Sequence, residues 1–72
     1  MAQMRMLSLY GPLGSREQAK LLLENQPQVR RIDASAGLTQ LRLFLSDPLS
    51  EDELIMLLSS CGISGFRLSH LG

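Results

Sequence analysis

Apolar residues recur along this chain with two periods, and the switches between them mark out six elements. From Arg5 to Tyr10, Leu7 and Leu9 alternate with Met6, Ser8 and Tyr10, the period of two that predicts a strand with one covered face. Gly11 and Pro12 end it, since proline cannot donate to a ladder and glycine permits a turn. Ser15, with Gln18 three residues on, predicts a capped helix start. Ala19, Leu22 and Leu23 then share one helical face, with Arg16, Glu17, Lys20 and Glu24 around them, and Pro27 stops the helix. Val29 to Ala34 predicts a second strand with Val29, Ile32 and Ala34 inward; their spacing of three and then two predicts a bulge near Arg30–Arg31. Ser35-Ala36-Gly37 is a hairpin turn. From Gln40 to Leu45, Leu41, Leu43 and Leu45 alternate with Gln40, Arg42 and Phe44, and Asp47-Pro48 breaks the run. Ser50 and Glu53 predict a second capping box, with Glu51 and Asp52 placing negative charge where the helix dipole favours it. Leu54, Ile55, Leu57, Leu58 and Cys61 predict a buried stripe ended by Gly62, and Phe66 to His70 a last strand with Phe66 and Leu68 inward.

Strand–helix–strand–strand–helix–strand in one chain of 72 residues predicts a single α+β domain over 1–72. The expected arrangement is the ferredoxin-like βαββαβ sandwich, a four-stranded antiparallel sheet with two helices on one face. Right-handed crossovers put the first and third strands at its centre. A chain this short buries only about 60% of its unfolded surface, which leaves no room for a large cleft beside the core. No apolar run approaches the ~20 residues that span a bilayer. The start, Met1-Ala2-Gln3-Met4-Arg5, lacks a charged region followed by an apolar core, so no signal peptide and no membrane insertion are expected.

Composition narrows the function classes. Seven basic and seven acidic side chains give zero net charge, whereas a nucleic-acid binder draws most of its affinity from a basic excess. The single cysteine, Cys61, rules out an internal disulfide and suggests a reducing compartment, most simply the cytoplasm.

Several landmarks in this order resemble one known family. Leu9-Tyr10-Gly11 resembles the end of a first strand and the glycine that opens a metal loop. Leu22-Leu23 followed by Pro27-Gln28-Val29 resembles a helix end and its Pro-Gly-Val, and Val29, Ile32 and Ala34 repeat a second-strand spacing. Asp47-Pro48 with Ser50, Glu53-Leu54-Ile55 and Cys61-Gly62 resembles an Asp-Pro, a Ser-x-Glu-Glu-Leu-Ile and an Ala-Gly. Together they make the chain similar, over nearly its whole length, to the heavy-metal-associated domains of copper chaperones and metal-pumping ATPases. The resemblance implies their fold. Their metal signature, Met-x-Cys-x-x-Cys after the opening glycine, is missing. Pro12 stands where the methionine belongs, the loop is about two residues shorter than the family's, Gly14 and Ser15 fall near the first cysteine and Glu17 near the second. Thiolates hold monovalent copper, and the degenerate loop Gly11, Pro12, Leu13, Gly14, Ser15 supplies none. No metal and no cofactor are therefore expected there.

The remaining chemistry is sparse. The sole histidine, His70, has no nucleophile beside it in the pattern, the acids cluster at a helix start, and no phosphate loop occurs, so no enzyme is expected. Cys61 lies on an apolar stripe, where a free thiol behaves as a small hydrophobe. If the leucines of the central strands face the helices, the opposite sheet face carries Met4, Met6, Ser8, Tyr10, Arg31, Asp33, Arg42, Phe44 and Arg67. Of these, Met6, Tyr10, Arg31, Arg42, Phe44 and Arg67 form the candidate interaction face. Rich in Met, Arg and aromatics and free of Lys, it fits a protein partner or a homodimer. Three alternatives stay open. A metal ion could be held through Met4, Met6, His70 or Cys61. Single-stranded RNA could use Tyr10, Phe44, Arg42 and Arg67. A small molecule or anion could sit at the Gly11–Ser15 turn.

Overall fold

A computed structural model of the chain describes residues 3–35 and 37–70 and, for residue 70, the backbone alone. The six predicted elements occur in the predicted order: β1 (Gln3–Tyr10), α1 (Leu13–Glu24), β2 (Val29–Asp33), β3 (Gln40–Leu45), α2 (Glu51–Ser59) and β4 (Gly65–His70). The sheet order is β2-β3-β1-β4 and every pairing is antiparallel, so β1 and β3 are central. Leu7, Leu9, Leu41, Leu43 and Leu45 share one buried cluster with Ala19 and Leu23 of α1 and with Leu54 and Leu58 of α2. Both helices thus cover one face of the sheet, the ferredoxin-like architecture.

The irregular spacing in β2 has its expected consequence. Val29 pairs with Leu45, but Arg31 pairs with Phe44, so the register slips by one at Arg30. Ile32 and Ala34 consequently turn inward and pack against the core. The turn to β3 is closed by the Gly37 N–H, which donates to the Ala34 carbonyl at 2.9 Å with Gly37 at φ 94°. Ala36 of the expected hairpin turn lies outside the described residues.

The two helices start differently, and here one expectation fails. At α2 the Glu53 N–H donates to Ser50 Oγ at 3.2 Å. The Ser50 hydroxyl in turn donates to Glu53 Oε1 at 3.2 Å, so the carboxylate closes the box on the hydroxyl instead of on a backbone N–H. Leu49, just before the cap, is buried with Leu54, a hydrophobic staple that no strand or helix period signals. At α1, by contrast, Ser15 does not cap. The helix begins three residues earlier, with Pro12 in the capping position, and no side chain caps it. Ser15 sits in the first turn with its Oγ against Gly62, 3.1 Å from where a Cβ would stand there.

A second correction concerns the α2 stripe. Leu54, Leu58 and Cys61 are buried and Leu57 packs against the core, but Ile55 remains 52% exposed. Together with Leu58 it lines a cavity against Gly65 and Phe66 of β4, where the sheet ends. The apolar stripe is wider than the sheet beneath it.

Candidate functional site: the open sheet face

Strand register decides which side chains meet on the uncovered face. In the first row Arg31 pairs with Phe44, and Phe44 with Met4; in the second Asp33 pairs with Arg42, Arg42 with Met6, and Met6 with Ser69. Ser8 lies between Gln40 and Arg67 in the third, and Tyr10 lies opposite Gly65 at the end. All six candidate residues, Met6, Tyr10, Arg31, Arg42, Phe44 and Arg67, therefore share this face. Tyr10 reaches toward Gly65, its Cδ2 3.8 Å from where a Cβ would stand, and is 53% exposed. Met4, Met6 and Phe44 are half-buried and the three arginines exposed.

Two contacts order one corner of the face. The Arg31 guanidinium lies 4.3 Å from the centroid of the Phe44 ring, a cation–π stack produced by the β2 bulge that shifts Arg31 across from Phe44. Asp33 Oδ1 accepts the Ser35 N–H at 2.9 Å. That backbone hydrogen bond, helped by the Ser35 hydroxyl and then by the charges of Arg42 and Arg31, holds the Asp33 carboxyl below its usual value. The sequence named both residues of the stack but carried no sign of the stack itself.

Zero net charge conceals a separation. The open face sets Arg31, Arg42 and Arg67 against Asp33 alone, while Glu51, Asp52 and Glu53 gather in the first turn of α2, the helix that covers the opposite sheet face.

The β1–α1 connection is tighter than a five-residue loop. Only Gly11 and Pro12 separate the two elements; Leu13, Gly14 and Ser15 already belong to the helix. Gly11 has φ 144°, and a Cβ there would stand 3.3 Å from the Ser64 amide nitrogen. The Ser64 N–H and hydroxyl both donate to the Tyr10 carbonyl at 2.9 Å, and Arg16 Nε donates to the Gly11 carbonyl at 3.1 Å. These carbonyls are spent on internal bonds. The remaining candidate ligands are dispersed. Cys61 is 5% exposed in the core, with its thiol 3.5 Å from the Leu57 carbonyl. The His70 side chain lies outside the described residues. Among the described residues no three His, Cys, Asp or Glu side chains converge as a metal site. Nor, among them, is any helix long and apolar enough to cross a membrane.

No protein-family profile matches this chain. No curated protein matches it either. Two solution structures do match, both of the yeast copper transporter domain Ccc2a, studied in apo and Cu(I)-loaded states. One has a TM-score of 0.64 at 15% identity and covers 97% of this chain and 96% of its own. The other has a TM-score of 0.63 at 15% identity and covers 96% of this chain and 94% of its own. At that identity the likeness concerns the backbone frame. The resemblance read from the sequence therefore holds at the level of the fold: this chain has the ferredoxin-like fold that the Ccc2a domain also has.

Proposed function

We propose that this chain is a non-catalytic protein-interaction module, built on a heavy-metal-associated frame whose metal loop has degenerated. One observation carries the reading: an exposed sheet face on which three arginines, two methionines, Tyr10 and Phe44 converge without a lysine. Arg, Met and aromatic residues are the types enriched where proteins dock, and Lys is depleted there. Copper carriage of the kind named for the Ccc2a domain does not come across to the loop. Gly11, Pro12, Leu13, Gly14 and Ser15 hold no thiolate or thioether, and the one thiol packs in the core. Base stacking is also disfavoured, because a nucleotide reaching Phe44 must first displace the Arg31 guanidinium that covers the ring. We place the module in the cytoplasm, in keeping with its single reduced cysteine.

The test is capture from a lysate of the native cells on immobilised protein, with quantitative mass spectrometry. Arg42→Glu and Phe44→Ala are each expected to reduce a specifically captured partner about tenfold or more. Circular dichroism on both variants separates a lost surface from a lost fold. Capture unchanged by both substitutions in folded protein would sink the interaction reading.

A further inference from the structure

We propose that the free edge of β4 and the groove beside it bind an extended segment of another protein in which apolar residues alternate with acidic ones. This rests on the interaction reading above and gives the partner a chemistry. Three features meet at one place.

The first is the edge. β4 pairs with β1 on one side and with no strand on the other among the described residues, and its register is unbroken from Gly65↔Tyr10 to His70↔Arg5. The opposite edge strand, β2, is interrupted by its bulge at Arg30, a device that blunts edges against added strands. β4 holds no bulge, proline or lysine. An extended chain laid along it would find backbone donors and acceptors in regular order.

The second is the groove. Ile55 and Leu58 of α2, Ile63 of the turn and Phe66 of β4 line an apolar cavity of about 190 Å³. A cavity of ~150 Å³ already accommodates a benzene-sized group, so one aliphatic side chain fits. Ile55 belongs to the helix's apolar stripe yet is half exposed because the sheet stops at β4. A fifth strand would cover it.

The third is charge. Arg67 follows Phe66 and points to the open face; among the described residues it joins no ion pair, the single pair there being Lys20–Glu24. Along an added strand, a residue beside Phe66 faces the groove and the next lies beside Arg67. Apolar then acidic is the sequence that satisfies both. A second copy of this chain fits poorly. Pairing β4 with itself while keeping the faces aligned sets Arg67 opposite or diagonal to its own copy, which is repulsive.

The experiment titrates the isotope-labelled full chain with an eight-residue capped peptide of alternating Val and Glu, and with its Val-Lys counterpart. The expected result is amide perturbation centred on residues 65–70 together with methyl shifts at Ile55 and Leu58. The Glu peptide should bind about fivefold tighter than the Lys peptide, and Arg67→Glu should reverse that order. Ile55→Ser, on an exposed position, should weaken both peptides. Equal binding of the two peptides, or no perturbation by either, overturns the inference. Perturbation confined to Met6, Arg42 and Phe44 overturns it as well, while leaving the interaction face in place. Concentration-dependent shifts of β4 without peptide assign the edge to a second copy and also overturn it. The interaction reading stands or falls separately, on the capture experiment.

Discussion

The two faces of β1 and β3 are made by alternate residues of the same two strands, and they obey different physics. Inward, Leu7, Leu9, Leu41, Leu43 and Leu45 are at most 1% exposed, all of one residue type, and packed by two helices. Outward, Met4, Met6, Ser8, Tyr10, Arg42 and Phe44 are half-buried or exposed, and varied. The inner set holds the helices and so dictates the backbone path. The outer set packs against no helix, and its composition is freer to answer to a partner. A backbone likeness of TM-score 0.64 at 15% identity concerns the backbone path over nearly the whole chain and not its side chains. It leaves the outer side chains, and any chemistry they carry, to be established on this chain itself.

The comparison breaks most visibly in stability. A domain of 72 residues has a total stability of roughly 4–11 kcal/mol. Leu43→Ala, at a fully buried position between both helices and the sheet, is expected to cost about 3 kcal/mol through lost burial and the cavity left behind. Its neighbour on the other face, Arg42→Ala, should stay within about 0.5 kcal/mol. Urea unfolding of the two variants at unchanged m-value measures both. If Arg42→Ala costs as much as Leu43→Ala, the outer face is structural and the division drawn above collapses.

A smaller effect asks how ordered the outer face is by itself. The Arg31–Phe44 stack should appear in a double-mutant cycle, Arg31→Ala against Phe44→Leu, as a coupling of about 0.5–1 kcal/mol. That coupling is what an incoming nucleotide base would forfeit. A coupling of zero means the ring is free in solution and open to a stacking base.

The inner face was legible in the sequence because a period of two or 3.6 residues is imposed by backbone geometry and needs no partner to be seen. The six elements followed from spacing and its Gly, Pro and cap punctuation, the slip at Arg30 from spacing, and the central placing of β1 and β3 from crossover handedness. What spacing missed was decided by contacts distant in sequence. Ser15 and Ser50 carry the same local signature, yet only Ser50 caps, because α1 already starts at Leu13 and Ser15 lies within its first turn. Ile55 obeys the helical period of its stripe but finds no strand below it. Leu49 belongs to no period and is buried nonetheless, since it staples the start of α2. The six candidate face residues follow the same rule. Their shared face was readable from alternation; the Arg31–Phe44 stack and the Asp33–Ser35 bond were not, because each depends on the bulge or the turn in three dimensions.

The finest test of the two faces is their response to acid. Leu43→Ala removes apolar burial, so its decrement should not change with pH. Asp33 behaves otherwise. Its carboxyl, held below 3.8 first by the Ser35 N–H and then by Arg42 and Arg31, binds protons less readily folded than unfolded. A depressed folded value means that the stabilisation is complete above 3.8 and is lost as pH falls below 3.8 through the folded value. Asp33→Asn should therefore melt at a lower temperature than the parent above pH 3.8, with the gap closing below it. The effect is small, since the group is solvent-exposed and its charge partners are screened. Direct carboxyl titration by NMR supplies the sign without any variant. A value at or above 3.8 means that the Ser35 bond is not held in solution. Of the two contacts that order this corner of the open face, the Arg31–Phe44 stack alone would then remain.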